Sequence, residues 1–245
     1  MIGQAVTALA LLAAAGEADT TAAGLVRVSQ ELTAGRARGV SVELVMATGD
    51  IEVSAGATAL LELDCFGPDS SFAPALEYVE VARAEPAGED PGFHGQVRVV
   101  QPDSKGTDAW QHRWDLRLSR ELCRELELAL GTGNARFELA GSAVEELYIE
   151  VSVGDIILDL AGGFPADCAA ECETGAGDIL VQVPAGAAVR VEAEAELGRV
   201  ELPGRFIRSE DGWVSPEWRA DGPGLELVLT AAAGDITVVE ETEEE

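Results

Sequence analysis

Basic residues are scarce in this chain. Sixteen Lys and Arg stand against 45 Asp and Glu, a formal net charge of −29 over 245 residues. That shortage argues strongly against nucleic acid as a partner, because phosphate binding needs cationic side chains to displace condensed counterions. It argues equally against docking on an anionic bilayer. Cations and basic partners suit the charge, as does plain solubility. Aromatics make up 5% of a chain that is 47% hydrophobic, so small and branched apolar side chains must fill the core. Histidine is limited to His94 and His112, and both lie in loop-like stretches that read as facing water. No HExxH, nucleophile elbow, phosphate loop or Cys/His pairing appears. Enzyme chemistry therefore lacks its usual carriers. Carboxylate pairs of glycosidase spacing would arise by chance among so many acids.

Cysteine is also rare. Cys65, Cys123, Cys168 and Cys172 allow two disulfides in an oxidising compartment. However, "ADCAAECETG" has the look of a strand, which sets Cys168 and Cys172 about 13 Å apart, beyond disulfide reach. Both share the face of Ala170, and the reading is of buried, unreactive thiols. The state of Cys65 and Cys123 is left open.

Long hydrophobic runs are missing too. Nothing reaches the roughly 18 apolar residues of a membrane helix. The longest candidate, Ala5 to Ala15, has the length of a signal-peptide core, with small residues after it and no Lys or Arg ahead. Residues 1–18 are read as a signal peptide, and the mature chain as extracytoplasmic (periplasmic, secreted or cell-surface) with no span of its own. The alternatives are a short buried helix or a misassigned start.

What the chain does have is a repeat. "ATGDIEV", "GTGNARFEL", "SVGDIILDL", "GAGDILVQV", "ELGRVEL" and "AAGDITVV" carry Gly49, Gly133, Gly154, Gly177, Gly198 and Gly234. Three successive intervals from Gly133 are 21, 23 and 21 residues. A fixed period in this range marks a solenoid. Around each glycine apolar residues alternate with others, as in Leu147, Ile149, Val151 and Val153 before Gly154, and Ile156, Leu158 and Leu160 after it. Period two means strand. Leu197 continues the inward set of Val189, Val191, Ala193 and Ala195 in the same way.

The expected fold is all-β, a β-solenoid of stacked strand-turn-strand rungs. Glycine is required at each corner by positive φ or by close stacking. Residues 27–113 read as a less regular N-terminal β region and 114–240 as the regular repeats. Within the latter, "RSEDGWVSPEWRADGPG" reads as a hairpin-like insertion whose Trp213 and Trp218 cover the last rungs. Residues 241–245 read as a disordered acidic tail.

Asp50, Asp155, Asp178 and Asp235 recur just after the turn glycine, with Asn134 and Arg199 at equivalent places. A file of stacked carboxylates is a candidate Ca²⁺ site. The commoner use of Asp in such turns is to bond the backbone of its own turn. Glu192, Glu194 and Glu196, with Glu171 and Glu173 on a preceding strand, form outward acidic rows that Arg190 and Arg199 would offset. These rows read as a cation-dependent binding surface or as a solvated face that resists aggregation.

From "WDLRLSRELCRELELALGTGNARFELAGSAVEELYIEVSVGDIILDL" through "GAGDILVQV", "LGRVEL" and "GWVSP" to "GDITVV", the sequence resembles the bacterial toast-rack proteins. These stand close to the adhesin-like group and to the C-terminal domain of LiaF-like envelope-stress regulators. The resemblance runs from about Val28 to Val239. It implies a β-solenoid outside the cytoplasm, with no catalytic residue and no cofactor. The expected role is a non-catalytic binding or scaffold module of the cell envelope, adhesin-like or associated with envelope stress. The alternative is a cation-dependent β-helix protein that binds or cleaves carbohydrate. Envelope proteins, surface polysaccharides read by Trp110, Trp114, Trp213 and Trp218, and self-association through the ends of the stack are the partners in view. The chain departs from the LiaF-like regulators in lacking their membrane helices, and it has no lipobox-type Cys.

Overall fold

Alternation of apolar and polar residues lets a strand bury one face only, so the strands of this chain must assemble in sheets that close on each other. In the computed structural model, residues 18–20, 25–69, 72–82, 92–102, 112–164 and 167–241 are described. The signal-peptide reading, apart from Ala18, Trp110 and residues 242–245 of the acidic tail lie outside them. No described residue is in an α-helix, and none of the described segments is a helix long and apolar enough to cross a membrane.

The N-terminal strands are β1 (Ala18–Thr20), β2 (Val26–Leu32), β3 (Ala37–Thr48), β4 (Asp50–Ala55), β5 (Leu61–Gly67), β6 (Ala75–Ala82), β7 (Phe93–Val100) and β8 (Arg113–Leu118). There follow β9 (Cys123–Thr132), β10 (Ala135–Glu138), β11 (Glu146–Val153), β12 (Ile156–Asp159), β13 (Asp167–Ala176) and β14 (Ile179–Val183). The last are β15 (Val189–Leu197), β16 (Val200–Glu201), β17 (Ile207–Ser209), β18 (Gly212–Val214), β19 (Gly224–Ala233) and β20 (Ile236–Glu240).

They form two sheets of ten strands. The first runs β1-β2-β5-β8-β4-β10-β12-β14-β20-β16, the second β17-β18-β15-β19-β13-β11-β9-β3-β7-β6. Each repeat is an arc with one strand in each sheet, joined at its turn glycine. Neighbouring arcs pair in parallel register, as in Ile149 beside Leu128 and Cys172. The fold is the expected stack of strand-turn-strand rungs.

The arcs do not pile up in chain order. The final arc, β19/β20, lies between β13/β14 and β15/β16. The reason is legible in the side chains. β19 offers Leu225, Leu227, Leu229 and Ala231 to the interior, each at most 1% exposed, whereas β15 offers the smaller Val189, Val191, Ala193 and Ala195 at the same positions. The richer apolar strand gains more from two flanking neighbours. The poorer one takes the edge, where the β17–β18 hairpin folds against it at Arg190 and Val191.

At the other end β7/β8 makes a further parallel arc beside β3/β4, and β6, β5, β2 and β1 close that end in antiparallel pairs.

The interior is built of files that run through the stack. Val53, Phe137, Leu158, Val181 and Val238 make one, all at most 2% exposed. Leu44, Leu128, Ile149, Cys172 and Leu229 make another across the second sheet. The cysteines behave as small core residues. All four are free and buried, and burial pushes Cys123 and Cys172 up to about 12 and Cys168 up to about 11. Thiols held that far from ionisation are inert.

Two expectations about direction fail. Val153 is 50% exposed and Leu197 75%, so the inward alternation does not continue to the turn. The backbone departs from regular pairing there, as the register omits Ser152 opposite Gly175. Histidine is the second case. His112 is buried, 5% exposed, and His94 stands half-buried in β7, its Nε2 2.7 Å from the Ser41 hydroxyl.

Candidate functional site

The residues predicted from the repeat sit at the corners of the arcs. Gly133, Gly154, Gly177 and Gly234 have φ between 139° and 152°, a region nearly closed to side chains. They also stack directly. A Cβ on Gly154 would meet the Gly133 carbonyl oxygen at 1.8 Å, and one on Gly198 would meet that of Gly234 at 1.9 Å.

The residue after each glycine binds upward through the stack. Asp50 Oδ1 accepts the Asn134 N–H at 2.9 Å, and Asn134 Oδ1 accepts that of Asp155 at 3.1 Å. Asp155 Oδ1 takes the Asp178 N–H at 2.9 Å, and Asp178 Oδ1 takes the Asp235 N–H at 2.8 Å. Asp235 Oδ1 accepts the Arg199 N–H at 2.9 Å, and the Arg199 guanidinium closes on Asp235 Oδ2 at 2.7 Å. That guanidinium holds the Asp235 carboxyl below the usual carboxylate range.

Thus each side chain bonds the backbone of the neighbouring arc, not of its own turn. The file is a hydrogen-bonded spine, and it stops at Arg199, which has no acceptor to offer. Among the described residues no group of three or more His, Cys, Asp or Glu is placed to hold a metal ion.

At the described ends of β7 and β8, Gln101 and His112 stand beside the Gly49 corner. Gln101 Oε1 accepts the N–H of Ala47 at 2.8 Å and of Thr48 at 3.0 Å. Its Nε2 donates to the Thr48 carbonyl at 2.9 Å and lies 2.7 Å from His112 Nδ1. Since the Gln101 oxygen is engaged by two amides, its NH₂ must face the imidazole, and Nδ1 is the acceptor. The ring is therefore neutral, packed 5.6 Å from Phe72, and burial lowers its pKa.

The sign follows. Above about pH 6.5 the imidazole is neutral in both folded and unfolded chains. As pH falls below that, the unfolded chain takes up a proton that the folded one resists, and stability is lost down to the depressed folded pKa. The melting temperature should fall between about pH 7 and pH 5, above the range of carboxylate titration, and less so in His112→Asn.

The two outer faces differ. On the first sheet, arginines interleave with acids across strands. Arg27 pairs with Asp64 and Arg113 with Glu52, at 2.5 and 3.1 Å, and Arg117 with Glu62 at 2.6 Å.

On the second sheet, register sets like charges side by side. Glu125 lies beside Glu146, Glu43 beside Glu127 and Glu150 beside Glu173. Arg98 at one side meets Glu43 at 3.0 Å, and Arg190 at the other meets Glu192 and Glu226. Arg199, expected to offset the Glu row, goes to Asp235 and Glu201 instead. Between them, Glu127, Glu146, Glu150, Glu171 and Glu173 have no ion-pair partner among the described residues.

This face is hollowed into a groove of about 780 Å³, lined by Glu43, Glu77, Glu125, Glu127, Glu146, Glu171 and Glu226, with Arg98. Tyr148 stands in its middle. Its hydroxyl pKa is raised by burial and then by the charges of Glu150, Glu173, Glu171 and Glu127. Glu146, Ala169 and Glu226 also line a second hollow of about 580 Å³ that reaches Trp218.

Of the other tryptophans, Trp114 is fully buried in the core and unable to touch a ligand. Trp213 lies in β18 under the Arg208 guanidinium, 4.0 Å from the ring centre.

Sequence reasoning singled out Glu171, Glu173, Glu192, Glu194 and Glu196 but placed them on successive strands. Since β19 intervenes, Glu171 adjoins Val228, and Val228 adjoins Glu192. It missed Tyr148 and the glutamates of β3 and β9. The signal was present in "VELVM" and "RELEL", where Glu alternates with apolar residues.

Comparison with known proteins agrees with this architecture. Residues 21–182 match the family model described as the N-terminal domain of toast_rack, DUF2154. Among curated proteins none matches the sequence. Among solved structures, a proposed cell adhesion protein from Clostridium sporogenes ATCC 15579 aligns with a TM-score of 0.73 at 19% identity, over 88% of this chain and 99% of that one. A proposed adhesin from Bacteroides fragilis NCTC 9343 aligns with a TM-score of 0.36 at 12% identity, over 88% and 97% of the two chains. At these identities the likeness to the Clostridium protein is one of fold.

Proposed function

The chain belongs to the toast-rack family, and from that premise we propose that it is a non-catalytic binding module of the bacterial cell envelope. On this reading it acts outside the cytoplasm and holds cationic partners on the outer face of its second sheet. The adhesion role named for the Clostridium relative is consistent with such a module.

One observation carries the reading. Carboxylates face each other across neighbouring strands on both sheets, as Glu52 and Asp115 do on the first. There, however, Arg27, Arg113 and Arg117 pair with the acids, whereas Glu127, Glu146, Glu150, Glu171 and Glu173 on the second have no ion-pair partner among the described residues. Like charges directly opposite on a sheet are destabilising by a few tenths of a kcal/mol or more per pair. A protein whose only need was solubility could set arginines among them as the first sheet does. A concave face that gathers them instead concentrates negative potential where a basic segment would lie. Tyr148 at the centre adds a ring face for a Lys or Arg head group.

A labelled oligolysine is expected to bind the full chain, and the affinity to fall at least tenfold between about 0.05 and about 0.5 M salt as screening shortens the reach of the field. The Glu127→Gln, Glu171→Gln double variant should bind about tenfold less tightly while its melting temperature holds or rises, because a like-charge contact has been relieved. Equal binding by that variant and the parent would refute the role given to this face.

A further inference from the structure

The two ends of the second sheet are finished differently. At one, β6 covers β7 along its whole length, from Ala75 beside Val100 to Ala82 beside Phe93. At the other, β18 pairs with β15 only at Arg190 and Val191. From Glu192 to Leu197, β15 has no strand on its outer side among the described residues.

The interior positions of the stack come into view there. Ala193 and Ala195 are half-exposed and Leu197 is 75% exposed, while Leu229 and Ala231, their neighbours in β19, are at most 1% exposed. Ile207 of the adjoining hairpin is 60% exposed. Sheets usually protect such an edge with an inward charge, a proline or a bulge. Here the inward residues are two alanines and a leucine.

What fits the edge is decided by charge and by the spine. Glu192, Glu194 and Glu196 point to the outer surface along the same six residues. A strand laid alongside would set its alternate side chains about 5 Å from them. A second copy would bring the same glutamates at a net charge of −29 and meet repulsion. It would also find no acceptor for its own turn, since the spine of side-chain bonds ends at Arg199. A short extended segment needs no turn.

We propose that the β15 edge, Glu192 to Leu197, receives an extended segment of another protein by strand addition. The segment would alternate apolar side chains, packed on Ala193, Ala195 and Leu197, with Lys or Arg beside the glutamates. Main-chain bonds would hold it and the two faces would select it. This surface is separate from the Tyr148 groove and does not depend on the function assigned to that groove.

The test uses the full chain and two synthetic peptides, one alternating valine with lysine and one alternating valine with glutamate. The lysine peptide is expected to bind and to slow amide hydrogen exchange at residues 192–197, and the glutamate peptide to do neither. Glu194→Lys with Glu196→Lys should weaken the lysine peptide at least tenfold and admit the glutamate peptide. Ala195→Lys, an inward charge at the surface, should abolish the protection. Glu127→Gln with Glu171→Gln should leave it unchanged. The proposal is overturned if the protection appears only in the groove strands, if both peptides bind the parent chain alike, or if neither binds. Concentration-dependent protection of 192–197 in the free protein overturns it too, since a second copy would then occupy the edge.

Discussion

Gly154→Ala is expected to destabilise the fold by about 4 kcal/mol, a large part of the 5–15 kcal/mol that holds a typical domain together. Two independent costs meet at this residue. Its φ is +143°, and holding a side chain in such a region costs about 1–3 kcal/mol. The new methyl carbon would also stand 1.8 Å from the Gly133 carbonyl oxygen. That oxygen belongs to the backbone of the arc beneath, so relief means prising apart stacked turns, an overpacking cost of about 1–3 kcal/mol.

Urea denaturation followed by far-ultraviolet circular dichroism would measure the sum. Two other glycines separate the causes. Gly163 has φ +107° with nothing within 4 Å, so Gly163→Ala should show the conformational part alone. Gly204 has neither positive φ nor a neighbour, and Gly204→Ala should stay within about 0.5 kcal/mol of the parent. If Gly154→Ala proved no worse than Gly163→Ala, direct stacking of the corners would not be what sets the arc spacing.

Gln101→Leu should cost about 3 kcal/mol. The side chain is 7% exposed and satisfies four polar groups. Leucine fills a similar volume but leaves the N–H groups of Ala47 and Thr48 and the Thr48 carbonyl without their partner. Each such group abandoned away from water costs about 1–3 kcal/mol, moderated where solvent can reach in.

Gln101→Glu tests the assignment of the imidazole. The carboxylate can still accept both amides, but it has no proton for His112 Nδ1. A protonated His112 would then donate to it, and the folded pKa would rise above the unfolded one. The stability contributed by this contact would be present below the unfolded pKa and lost as pH rises through the folded value, the reverse of the parent. An unchanged pH profile in that variant would show that His112 does not face Gln101 as described.

The alternation in "ELYIEVSVGDIILDL" and the recurring glycine were enough to read strands, corners and a stack, because both signals are local. A period of two needs only the pleat, and a corner without a side chain needs only the turn. Burial of Cys168 and Cys172 was legible for the same reason, since they share one face of one strand with Ala170. Asp after glycine was legible as a pattern but not as a bond, for its partner N–H lies on the neighbouring arc.

The order of the arcs was beyond local reading. A parallel strand can be entered from any arc of matching length, and which one is chosen depends on the whole interior. Leu227 and Leu229 win the buried place over Val191 and Ala193, so the last arc slips inside the one before it. That exchange separates Glu171 from Glu192, leaves β15 at the edge and exposes Leu197. His112 fell to the same limit. Its surroundings in the chain are polar, but Gln101 and Phe72 come from elsewhere to bury it.

Local chemistry determined that these strands would form and bend. Only the competition among them for apolar neighbours decided which carboxylates gather on one face and which edge stays open.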